Sequence, residues 1–226
     1  APEVWFDAPE VLTGLDRFRA APGHPSGSVS LDLAPLRESQ RTVTAGAGSK
    51  GVLFGNMLAT EAGTLDGGAA AGVSTFLSFD RADQTDGKRD NDLTRTAAGA
   101  RVGAASDALQ GDLITALSWR EFGARGFYGT DPKYPAAERK SDALLAGTLR
   151  FTDDPLQPSR LSAAWLRTED TYWLDRRRHA FFENDHTTDF LAIHGDTRRT
   201  FNENFSVDLR ADADLESIRS SSLGDH

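Results

Sequence analysis

The chain has 226 residues, 38% of them apolar, no cysteine and a formal net charge of −9 at pH 7. That acidic balance, with no basic block in it, argues against a nucleic-acid partner, and the lack of cysteine removes disulfide staples and thiolate metal sites. No apolar run approaches the roughly 20 residues of a spanning helix, and residues 1–10 carry neither the basic nor the apolar region of a secretory leader.

Residues 1–19 contain Pro2, Pro9 and Gly14 and follow no clean period. Residues 20–28 form a turn cluster. Ser28–Leu33 then alternates, with Val29, Leu31 and Leu33 on one side and Ser30 and Asp32 on the other, which predicts a short half-buried strand ended by Pro35. From Glu38 the chain reads as a series of long strands. The expected segments are Glu38–Ser49, Gly51–Thr60, Ala70–Arg81, Leu93–Ala105, Leu109–Arg120, Asp142–Thr152, Ser159–Trp173, Thr187–Thr197 and Phe205–Glu216. Several exceed ten residues, where about five or six is usual. Strands of that length suit a tilted crossing of about 25 Å of lipid.

Alternation is clearest in four segments. Phe205, Val207, Leu209 and Ala211 oppose Ser206, Asp208, Arg210 and Asp212. Val73, Thr75, Leu77 and Phe79 oppose Ser74, Ser78 and Asp80, with Phe76 as the exception. Leu113, Thr115, Leu117 and Trp119 oppose Asp112, Ala116, Ser118 and Arg120, with Ile114 as the exception. Leu145, Leu149 and Phe151 share a face with Gly147. A soluble antiparallel sheet with one wet face has the same period, so periodicity leaves both readings open.

The connections separate them better. Links at 60–69, 106–108, 153–158 and 198–204 are compact, and those at 81–92, 122–141 and 174–186 are long. Short and long links therefore alternate, as they do in an up-and-down outer-membrane barrel with short periplasmic turns and long outer loops. Phe79 and Trp119 near the long links, with Phe151 and Phe205 near the short ones, fit two interfacial girdles, although aromatic residues favour strands in any case. Two features do not fit. Leu93–Ala105 has few large apolar residues on either face, and Arg167 shares the parity of Trp165 and so would face lipid.

With those residues laid out, the chain resembles the TonB-dependent outer-membrane receptors. Residues 10–14 (EVLTG), the Gly-rich stretch 23–27 and residues 28–31 (SVSL) are similar to the closing motif of a plug domain, with Ser28 and Ser30 departing from its usual Gly and Asn. The stretch Phe122–Arg139, with FGARGFYG followed by Tyr134, Pro135 and Glu138, is similar to a loop of a cobalamin-receptor-like branch. Residues 184–189 (NDHTTD) and 222–226 (SLGDH) look like later barrel signatures of that branch. The resemblance implies an all-β chain, with the end of a plug at 1–36 and the first part of a transmembrane barrel at 37–226. Nine candidate strands against about 22 in such receptors imply a fragment of a longer protein.

By the same resemblance the expected function is uptake of a scarce nutrient, an iron chelate or a cobalamin-like ligand. The implied location is the outer membrane of a Gram-negative cell, in contact with its lipid, and the implied partner is a TonB-type inner-membrane protein that supplies energy. From the residues, Arg125, Tyr128 and Tyr134 offer a cation and ring faces for a ligand, and Arg176, Arg177 and Arg178 offer a second basic patch. Packing within the loop, or a solvated loop tip, accounts for the same residues. No nucleophile elbow, phosphate loop or zinc-helix motif is present, so no enzyme, cofactor or metal is expected. His186 and His194 share parity but stand too far apart for one ion. Two alternatives remain from the sequence: a small complete outer-membrane pore or adhesin, and a soluble β-rich carbohydrate-binding or hydrolytic domain.

Overall fold

The computed structural model describes residues 10–12, 28–30, 33–65, 67–83, 90–126, 133–151, 157, 159–221 and 224–225. Two short strands, β1 (Glu10–Leu12) and β2 (Ser28–Ser30), pair antiparallel as a ladder of their own. Every long segment expected from the sequence is a strand: β3 (Gln40–Ala47), β4 (Leu53–Thr64), β5 (Ala70–Ala82), β6 (Leu93–Ala105), β7 (Leu109–Gly123), β8 (Ala137–Phe151), β9 (Ser159–Trp173), β10 (Glu183–Asn202) and β11 (Phe205–Ser220). Each pairs antiparallel with the next, and β12 (Gly224–Asp225) pairs with the end of β11. The sheet is an open up-and-down meander whose edges among the described residues are β3 and β12.

The register sorts the side chains into two unlike faces. Val73, Val102, Leu113, Gly147, Ala163, Ile193 and Ala213 are successive cross-strand partners from β5 to β11. The next row is Thr75, Ala100, Thr115, Leu145, Trp165, Leu191 and Leu215. From β5 to β11 neither row holds a charge, although on β4 and β3 they continue to Glu61 and Arg41, which pair with each other; the large aliphatic members stand open, as do Val43 at 72% and Leu117 at 62% exposure. A β-sheet normally turns such a face towards a core; here nothing covers it among the described residues.

The opposite face is curled and mixed: charged rows lie on either side of an uncharged one that runs Leu58, Phe76, Gly99, Ala116, Leu144, Leu166 and Phe190. A cavity of about 900 Å³ on it is lined from Gln40 on β3 to Leu166 on β9, so this side is concave. The segment Leu33–Leu36 runs across it. Gln110 Nε2 donates to Leu33 O at 2.9 Å, and Arg101 donates to Ala34 O. Beneath the segment, the Arg101 and Asp112 side chains form an ion pair at 2.6 Å and are 0% and 1% exposed.

This covering explains why β6 lacks large residues. A Cβ on Gly103 would lie 2.5 Å from Asp112 Oδ1, and one on Gly99 would lie 2.5 Å from the Phe76 ring. On β5 a Cβ at Gly72 would press on Leu36. Gly72 makes room for the crossing segment, Gly103 for its ion pair, and Gly99 for the Phe76 ring. Arg167 also finds its place. It lies on the outward face next to Glu169 at 3.1 Å and Asp189 at 3.8 Å, and Asp189 in turn meets Arg219 at 3.4 Å. The outward face therefore becomes charged towards one rim, above the apolar rows.

At that rim lie the connections 83–92, 124–136 and 174–182; at the other lie 65–69, 106–108, 152–158 and 203–204. The short turn 48–52 also falls on the long-loop rim, so the alternation of lengths begins only after it. Its Lys50 and Gly51, at φ of 60° and 67°, give the left-handed pair that a tight hairpin uses. The strands are longer than the sequence pattern suggests. Phe122 pairs with Glu138 and Gly123 with Ala137, so the stretch expected to be one loop from Phe122 to Arg139 is a loop only over 124–136. Likewise β10 begins at Glu183, four residues before the expected Thr187 and two after the end of a 3-10 turn at His179–Phe181.

Candidate functional site at the long-loop rim

The three long connections are built into one another. The loop 83–92 reaches the end of β7 because Gly123 has no side chain: a Cβ there would lie 1.8 Å from Asp90 O. Gly123 N–H then donates to Asp92 O at 2.9 Å. The loop 124–136 is pinned at its base by Ala124 N–H donating to Ala136 O at 2.8 Å, with both residues fully buried. From the third loop, Arg176 N–H donates to Pro135 O at 2.9 Å.

Arg176 joins all three. Its guanidinium takes Asp92 with both terminal nitrogens, Nη2 to Oδ2 at 3.1 Å, and reaches Glu121 Oε1 at 3.4 Å. Burial pushes the Asp92 carboxyl up, but the hydrogen bond from Arg176, a backbone hydrogen bond and the charges of Arg176 and Arg81 together outweigh it and hold the group below its ordinary value. The bond to Asp92 in turn raises Arg176. Asp175 is buried and folds the tip: its Oδ1 accepts Arg177 N–H at 3.0 Å and its Oδ2 accepts Arg178 Nε at 2.8 Å. The backbone N–H of Arg177, and then Arg178, hold its carboxyl below the usual range.

Aromatic rings complete the brace. Trp173 is buried and donates from Nε1 to Glu183 at 2.6 Å. His179 stacks on its ring with centroids 4.5 Å apart, and the Arg139 guanidinium lies 4.9 Å from the ring centre. Tyr134 meets Phe181 at 5.7 Å, with Lys133 over the tyrosine and Arg178 over the phenylalanine.

The structure thus brings Arg125, Tyr134, Arg176, Arg177 and Arg178 to one rim, and Tyr128 lies outside the described residues. Their neighbours there are mostly protein. Arg125 is 3.5 Å from Asp90, Arg177 is 3.8 Å from the same carboxylate, and Arg176 is committed to Asp92 and Glu121. Arg177, at 73% side-chain exposure, is the member best placed to meet a solute. The cluster as a whole holds loops in position.

Sequence reasoning did not assemble the concave charges. Asp80, Arg95, Arg120, Lys140, Asp170 and His186 are consecutive cross-strand partners from β5 to β10, one row below the rim. Each sits at a polar position of its own strand, so alternation gives its side, but only the register aligns them. His194, further down, contacts Asp196 and Asp212 at 2.7 Å each. Among the described residues no three His, Asp or Glu converge as a metal set.

No protein-family model matches the chain, and neither a curated protein nor a solved structure matches it.

Proposed function

We propose that this chain forms part of the wall and outer rim of an outer-membrane receptor of the TonB-dependent kind. Its role is to take up a scarce nutrient such as an iron chelate or a cobalamin-like ligand. The carrying observation is the inverted sheet: from β5 to β11 two uncharged rows stand open on the convex side, while the charged row from Asp80 to His186 and the buried Arg101–Asp112 pair lie on the concave side. Contiguous apolar patches beyond a few hundred Å² mark a contact with lipid or protein. From Leu109 to Trp119 along β7 is about 33 Å at roughly 3.3 Å per residue. A tilt near 40° reduces that to about 25 Å, the height of an outer-membrane apolar band.

Further features support the same reading. Long connections gather at one rim, as outer loops do. The segment Leu33–Leu36 crosses the concave face where a plug would enter the lumen, which agrees with a plug ending near residue 36 and a barrel from residue 37. In this reading the edges at β3 and β12 pair with further strands and close the barrel, because lipid tolerates no unpaired edge. Energy would come from an inner-membrane partner acting on the plug. The role is capture and passage rather than catalysis.

Refolding tests it. The full-length gene product should regain its sheet only with detergent micelles or lipid vesicles, read by circular dichroism and by heat-dependent gel mobility. A monodisperse, folded protein in plain buffer would overturn the proposal.

A further inference from the structure

The concave row below the rim carries charges that the loop cluster does not use. Arg95 on β6, Arg120 on β7 and Lys140 on β8 are direct cross-strand partners, which places their Cβ atoms about 4.5–5.5 Å apart in succession. Like charges so placed destabilise a sheet. Lys140 is relieved by Glu138 at 3.2 Å and Asp170 at 3.1 Å. Arg95 has Asp80 opposite it on its other side. Arg120 has a cation on either side, and its Nε is shielded from solvent yet meets no acceptor among the described residues.

Arg95 also lines the cavity of about 900 Å³, where Leu58, Phe76, Leu144 and Leu166 supply an apolar wall. That volume suits a whole organic ligand. Asp142 in the same wall is already engaged, accepting from Ser118 Oγ at 2.8 Å and Thr168 Oγ1 at 2.9 Å. An anionic oxygen group placed across Arg95 and Arg120 would relieve their repulsion and fill the empty Nε position. Two adjacent guanidinium forks are suited to bind a carboxylate or phosphate in this way.

We propose that Arg95 and Arg120 bind the carboxylate or phosphate of an organic ligand whose body occupies the adjoining cavity. This rests on the receptor reading and sharpens it: the nutrient is an anion, held on the inner wall beneath the loops.

The test is a calorimetric titration of citrate into the full-length gene product in detergent, at fixed ionic strength. The expected result is saturable binding that Arg120→Gln and Arg95→Gln each weaken at least tenfold. Arg210→Gln, on the same face but paired with Asp212 at 2.7 Å, should leave it unchanged. Without citrate, Arg120→Gln should hold or raise the melting temperature, whereas loss of a structural brace would lower it. If Arg120→Gln does not fold, Arg95→Gln carries the comparison. A folded wild type that binds no citrate has its row satisfied by the protein's own carboxylates, and the proposal fails. Equal weakening by Arg210→Gln also overturns it, since that is general electrostatics. A protein that folds without detergent overturns the receptor reading alone and leaves the titration valid.

Discussion

Arg101 on β6 donates from Nε to Asp112 Oδ1 on β7 at 2.8 Å, with both side chains out of solvent beneath the crossing segment. Desolvating two charges costs several kcal/mol, so such a pair is held by its geometry and its extra bonds. Asp112 also accepts from Gln110 Nε2 at 2.9 Å. Arg101→Leu strands a buried carboxylate and should cost about 3–5 kcal/mol in urea unfolding from micelles. The double variant Arg101→Leu/Asp112→Leu should recover most of that loss. A single variant within about 0.5 kcal/mol of wild type would mean that the pair is wet.

The outward face gives a second test. Leu117 stands open in the apolar band, while its neighbour Ser118 faces the cavity side. Leu117→Arg should cost about 1–2 kcal/mol for folding into vesicles if the residue meets the bilayer, because it stands two residues from Trp119, between the midplane and the interface. The same change on a sheet in water would be neutral. Folding free energy in lipid distinguishes the two outcomes.

Arg176 ties loops that lie far apart in sequence. Arg176→Ala should lower stability by about 1–2 kcal/mol, less than a buried charge network would, because the side chain is 22% exposed. The sharper readout is limited proteolysis, where cleavage within 83–92 and 174–182 should speed up. If the residue instead contacts ligand, affinity would fall with no change in cleavage.

The rim should also respond to acid. Asp92 and Asp175 both lie below their ordinary range in the folded protein. They therefore stabilise the rim at any pH above about 4, and that contribution is lost as pH falls through their lowered values. Hydrogen exchange over 174–182 should be slow at pH 5–7, after correction for the intrinsic rate, and fast near pH 2. Protection that persists at pH 2 would remove these carboxylates from the account.

The strands were legible where one face met an apolar contact, because there alternation survives. The extensions were not. Glu183, Asn184, Asp185 and His186 open β10, and Arg198, Arg199 and Thr200 lie near its other end. Polar on both faces, they resemble loop by composition, and only their ladder partners make them strand. The candidate rim residues were findable as a loop-borne group, but their acidic partners come from other loops and the end of β7. The concave row was hidden for a related reason: no single strand reveals what its neighbours place beside it.

Every ladder from β3 to β10 runs without a break in register. Adding or deleting one residue inside any of these strands would turn the rest of it inside out. Arg95 or Arg120 would then point to the open convex face, and Leu117 or Val102 to the concave one. Changes of length are tolerable only in the connections, so the wall is frozen while the rim is free to diversify.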